Sequence, residues 1–89
     1  MTNWTLSEKL EKTLKKVCKK DKIRYLATLK KIEEIINVKD FEHYKNLRYK
    51  QKEFKRVHID SHFVLIFRID KEKNRILFED LQHYDAIYG

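Results

Sequence analysis

Histidines His58, His62 and His83 and the guanidinium of Arg56 are the side chains of this 89-residue sequence best suited to moving protons beside a phosphate. Histidine has an unperturbed pKa of about 6.5 and changes charge near working pH, so a pair can accept and return a proton within one reaction. Arginine stays charged, and its planar fork donates two bonds to a phosphate. From about Glu53 the hydropathy alternates with a period of two, with Lys55, Val57 and Ile59 on one side and Phe54, Arg56 and His58 on the other. Arg56 and His58 therefore share a strand face. His62 lies across the next turn, and His83 with Tyr84 follows a later strand that should return beside it. On an open sheet face these groups could meet. RNA cleavage by its own 2′-hydroxyl needs such a set: one group to take the hydroxyl proton, one to protonate the leaving 5′-oxygen, and cations to hold charge developing on phosphorus.

Other chemistries find less support. The sole Gly is the terminal Gly89, and Ser7 and Ser61 fall in a helix cap and a turn. The chain therefore lacks a phosphate-cradling Gly loop and a nucleophile triad. The spacing of His43, His58, His62 and His83 matches no zinc signature, so neither a metal nor another cofactor is expected. The lone Cys18 can close no internal disulfide, which points to a reducing, cytoplasmic setting. There is no apolar run of membrane-spanning length and no signal-peptide pattern.

The elements that must position these groups follow from the same pattern. Eighty-nine residues, 42% hydrophobic and 39% charged, predict one compact domain over 1–89. Thr5 to Glu8 fits a capping box with Thr5 as N-cap, and Leu10, Leu14, Val17 and Cys18 continue at helical spacing to about Lys19. Asp21 can cap a second helix whose apolar stripe is Ile23, Leu26, Leu29, Ile32 and Ile36, ending near Asn37. After the strand carrying Arg56 and His58, Asp60-Ser61 turns the chain into a continuously apolar strand over 62–69, expected to be central. A loop over 70–74 leads to a third strand over 75–79 and a tail. The reading is α+β: an N-terminal helical hairpin packed on a small antiparallel sheet, with a short edge strand over Met1 to Trp4.

Charge adds a partner class. Residues 1–31 hold ten Lys/Arg against Glu8, Glu11 and Asp21, which accounts for the net charge of +7, while residues 32–89 balance. A second cluster, Lys45, Arg48, Lys50, Lys52, Lys55 and Arg56 against Glu53 alone, leads into the strand of His58. Such a field favours a polyanion or an acidic protein, although lysines on a helix are equally ordinary as a solvated face. Lys45, Arg48, Lys52, Lys55 and His62 are the candidate phosphate binders, with Tyr84 and Tyr88 as rings on which a base can stack.

The run Phe54-Lys55-Arg56-Val57-His58-Ile59-Asp60-Ser61-His62 with the apolar strand to Ile69, then Ile76 to His83 and a terminal aromatic before Gly89, resembles YafQ-type toxins of the RelE/ParE superfamily. The likeness is close over about half the chain; the helices match in layout only. It implies a RelE-like fold and a metal-independent endoribonuclease that cuts mRNA on the ribosome and is silenced by an antitoxin protein. It also implies catalytic roles for His58 and His83 and a base-orienting role for Tyr88. The chain departs from the pattern in three places: Arg56 and His62 stand where YafQ-type toxins carry acidic residues, and Lys45 lies near the place of a further His. Arg56 instead matches the broader RelE pattern, in which an Arg at this strand binds the scissile phosphate. The bet that follows is His83 as general acid, His58 as base or orienter, and Arg56 and Lys45 as phosphate clamps. Two alternatives share the features: a non-enzymatic ParE-like toxin that inhibits a topoisomerase by binding, and a basic RNA-binding module without catalysis.

Overall fold

A computed structural model describes residues 3–39, 44–46, 54–70 and 72–88. Among these described residues five strands and three helices follow in the order β1 (Asn3–Leu6), α1 (Glu8–Lys20), α2 (Lys22–Asn37), β2 (Lys45–Asn46), β3 (Phe54–His58), β4 (Phe63–Asp70), β5 (Arg75–His83) and α3 (Tyr84–Tyr88). The sheet order is β1-β5-β4-β3-β2, so the apolar strand β4 is central, as its composition predicts. Val64, Leu65, Ile66 and Phe67 are all buried. The two hairpins β3–β4 and β4–β5 are antiparallel, whereas β1 runs parallel to β5, with Trp4 opposite Ile76 and Leu6 opposite Phe78.

That edge strand moves the first helix cap. Pairing with β5 keeps Thr5 and Leu6 extended, so the N-cap falls on Ser7 instead of Thr5. The Ser7 hydroxyl accepts the Leu10 N–H at 3.0 Å and donates to the Glu79 carbonyl at 2.5 Å, while the Ser7 N–H reaches the Phe78 carbonyl at 2.9 Å. One residue thus caps α1 and ties its start to β5. Asp21 caps α2 as expected, accepting the Arg24 N–H at 3.0 Å.

The stripe on α2 is corrected. Thr28, Ile32, Ile35 and Ile36 are buried, but Ile23, Leu26 and Leu29 are exposed, Ile23 by 84% and Leu26 by 56%. A helix turns about 100° per residue, so a strict three-residue spacing drifts about 60° per step; Ile23 stands nine residues from Ile32 and hence on the opposite side. The core lies between the two long helices and one sheet face: Leu10, Leu14, Ile32, Ile35 and Ile36 against Tyr44, Leu65, Phe67, Ile76, Phe78 and Leu81.

β5 is longer than its apolar run suggests, continuing through Glu79 to His83. Its pairing to β4 shifts between Ile66↔Asp80 and Phe67↔Phe78, which leaves Glu79 as an extra residue in the ladder. This bulge reverses which residues face the core. Ile76 and Phe78 point to the helices, and beyond Glu79 it is Leu81 that does so.

Candidate functional site at one end of the sheet

The cross-strand register assembles the open face row by row. Lys45 on β2 is opposite Arg56 on β3, Arg56 is opposite Ile66 on β4, and Ile66 is opposite Asp80 on β5. One row closer to the turn, His58 is opposite Val64 and Val64 is opposite Gln82. Arg56 and His58 therefore share the face away from the helices, as the period-two pattern predicts. The Asp80 carboxylate accepts from the Gln82 amide at 2.6 Å and pairs with the Lys9 ammonium at 3.1 Å, which joins the start of α1 to this face.

His83 is placed differently from the sequence expectation of a shared face. The bulge at Glu79 puts it in register with Phe63, whose ring packs against the core, and the two rings meet edge-on with centroids 5.3 Å apart. His62 stacks on His83 at 6.0 Å and 23°. The ring lying against His58 belongs to Tyr84, stacked at 5.9 Å and 28°. The Tyr84 N–H donates to the His62 carbonyl at 2.7 Å, so the two pairs occupy the same sheet end. His58, His62, His83 and Tyr84 are all exposed. The structure brings these four rings together in two stacked pairs, His58 with Tyr84 and His62 with His83.

Nδ1 of His83 accepts the Asp85 N–H at 3.1 Å and lies 3.7 Å from the Asp85 carboxylate. With Nδ1 accepting, the neutral ring carries its hydrogen on Nε2, which is the nitrogen left to address a ligand. Beneath this end of the sheet, the β3–β4 turn is closed by Asp60, whose carboxylate accepts from the N–H groups of His62 at 2.8 Å and Phe63 at 2.9 Å. Burial by itself would push the Asp60 carboxyl up, but its bond to Arg24, the two N–H groups and the Arg24 charge hold it below the usual carboxylate range.

The remaining expected residues divide into three groups. Lys55 is only 8% exposed and points to the helix side with Val57, its ammonium donating to the Tyr44 carbonyl at 3.3 Å, because the strand alternation that puts half-buried Arg56 on the open face turns its neighbour inward. Lys45 enters through its register with Arg56, and Tyr88 closes α3. Arg48 and Lys52, with His43, lie outside the described residues. Sequence reasoning missed Arg24, which reads there as one more charge of a basic helix; Asp60 is 36 positions away along the chain and gives no local signal of their pairing. Among the described residues, no three His, Cys, Asp or Glu side chains gather to hold a metal ion, and no helix is long and apolar enough to cross a membrane.

No protein-family model matches the chain. A curated protein of Methanocaldococcus jannaschii named "Putative toxin RelE4" is 48% identical over 79 residues, covering 89% of this chain and 82% of the relative. Several solved structures share the fold. YafQ from Escherichia coli BL21(DE3) superposes with a TM-score of 0.68 at 21% identity over the whole of both chains. A chain of the RelBE2 toxin–antitoxin complex of Mycobacterium tuberculosis does so with a TM-score of 0.73 at 15% identity, covering 92% of this chain and 90% of that one.

Proposed function

This chain belongs to the RelE/ParE toxin superfamily, and from that premise we propose that it is the toxin of a toxin–antitoxin pair and acts as an endoribonuclease on mRNA at the ribosome, in the cytoplasm. The observation that carries the reading is the gathering of His58, His83 and Tyr84 at the sheet end beside the row of Lys45 and Arg56. In the proposed reaction the 2′-oxygen attacks the adjacent phosphorus as its proton passes to His58. The bond to the 5′-oxygen breaks as His83, in its imidazolium form, gives that oxygen the Nε2 proton and becomes neutral, leaving a 2′,3′-cyclic phosphate and a 5′-hydroxyl. Arg56 and Lys45 hold the phosphate and the charge that develops on it, joined by Arg48, Lys52 and His62. Tyr84 and Tyr88 offer rings for base stacking. These steps use protein groups alone.

The antitoxin has a natural seat on the outer face of α2. Ile23, Leu26 and Leu29 expose apolar surface there on a helix hairpin that carries Lys19, Lys20, Lys22 and Lys30. An acidic amphipathic segment complements both features. A second copy of this chain would bring its own charge of +7 against the same surface.

The test is incubation of the purified chain with mRNA, with and without ribosomes, followed by mapping of the new ends. New 5′-hydroxyl ends matched by 2′,3′-cyclic phosphates are expected. Intact RNA under both conditions, from a preparation that arrests growth when expressed, would overturn the nuclease reading in favour of a binding toxin.

A further inference from the structure

We propose that Arg24, in the first turn of α2, is a positioning residue for His83, acting through Asp60 and Phe63. This inference rests on the reading of His83 as the general acid. Arg24 holds three groups at once. Its Nε donates to Asp60 Oδ2 at 2.9 Å, its Nη1 reaches Asp21 Oδ2 at 3.2 Å, and its Cζ lies 4.0 Å from the centre of the Phe63 ring. The side chain is 22% exposed, so the guanidinium works where water competes only in part.

Each of these contacts leads to the site. Asp60 fixes the N–H groups of His62 and Phe63; the His62 carbonyl then receives the Tyr84 N–H. Phe63 touches both the guanidinium, 4.0 Å from its ring centre, and the His83 ring, which it meets edge-on at 5.3 Å. The His83 imidazole, itself exposed, thus leans on a ring whose other neighbour is a fixed cation, and it is held from the far side by Asp85 and His62. An Arg serving only to attach α2 to the turn would need the two ion pairs alone. The 4.0 Å contact with Phe63 extends the attachment to the orientation of the acid, and the forked guanidinium can hold both carboxylates and the ring together where a compact ammonium is poorly shaped to do so.

The experiment records the ring resonances of His83 by NMR, together with single-turnover RNA cleavage and thermal unfolding, for the purified full-length chain and its Arg24→Ala and Arg24→Lys variants. Arg24→Ala should move the His83 resonances towards those of an unconstrained imidazole and lower kcat about tenfold or more with KM little changed, since a misplacement of about 1 Å can cost 10²-fold. Arg24→Lys keeps a cation for Asp60 without the planar face, so it should recover thermal stability and leave the His83 resonances displaced. If Arg24→Ala lowers only the unfolding midpoint, with His83 resonances and kcat as in the wild type, the proposal is overturned. Should Arg24→Ala fail to fold, unchanged resonances and kcat in Arg24→Lys overturn it equally. If the wild type cuts no RNA, the nuclease reading fails on that count, while the His83 resonances still decide whether Arg24 orients the ring.

Discussion

His83 is oriented by the chain that follows it: the Asp85 N–H occupies Nδ1, and the hydrogen of the neutral ring is directed to Nε2. To act as the proposed general acid the ring must carry a proton on Nδ1 as well, one that the Asp85 carboxylate at 3.7 Å can face, and single substitutions test that role. His83→Ala should lower single-turnover cleavage by about 10²–10⁴-fold and abolish growth arrest, with the unfolding midpoint and the antitoxin complex preserved, because an exposed ring adds little to the core. His58→Ala should behave similarly, losing the base and the partner ring of Tyr84. Arg56→Ala should reduce both RNA binding and rate, since a phosphate clamp serves ground and transition states. The measurements are end-mapped cleavage, plating efficiency and co-purification. Full toxicity in both histidine variants would sink the nuclease assignment.

At the scale of elements, the β3–β4 turn contributes stability that follows acid pH. The Asp60 carboxyl is lower in the folded chain than in the unfolded one, so the group stabilises the fold above its unfolded pKa of about 3.9, and that contribution is lost as pH falls through the lower folded value. Asp60→Asn should therefore destabilise the wild-type fold near neutral pH by about 1–2 kcal/mol and flatten the acid limb of the unfolding curve below pH ~4. Urea titrations at neutral and acid pH measure the difference, and an unchanged acid limb would contradict the assignment. The outer face of α2 makes a separate expectation. Leu26 is 56% exposed, so Leu26→Asp should shift stability by no more than about 0.5 kcal/mol. It should nonetheless weaken the antitoxin complex, read by calorimetric titration, because it places a charge within the apolar seat. Undiminished affinity would move the antitoxin to another surface.

Over the whole molecule, the positive excess lies in residues 1–31 while the ring pairs sit at one end of the sheet, so on the proposed reading RNA would be attracted by one region and cut at another. Binding should fall steeply with salt, with a slope of about −0.7 in log K against log salt for each single-strand phosphate neutralised. A flat dependence from low to physiological ionic strength would remove the electrostatic part of the reading. Much of this architecture was legible beforehand. The Asp21 cap, the apolar β4, the Asp60 turn and the shared face of Arg56 and His58 are local features, each written in a few consecutive residues. The order and type of the main elements and the basic N-terminal half were therefore already present in the local pattern. Tertiary structure alone decided three things. Packing turned α2 so that Ile32 is buried and Ile23 is not, since a helical pattern gives spacing and the facing sheet chooses the side. Pairing with β4 left Glu79 as an extra residue, and that one-residue shift moved His83 to the helix side and left Tyr84 against His58. Arg24 met Asp60 and Phe63 across 36 and 39 positions of chain, a convergence that no local period encodes because it exists only once the helix lies on the sheet.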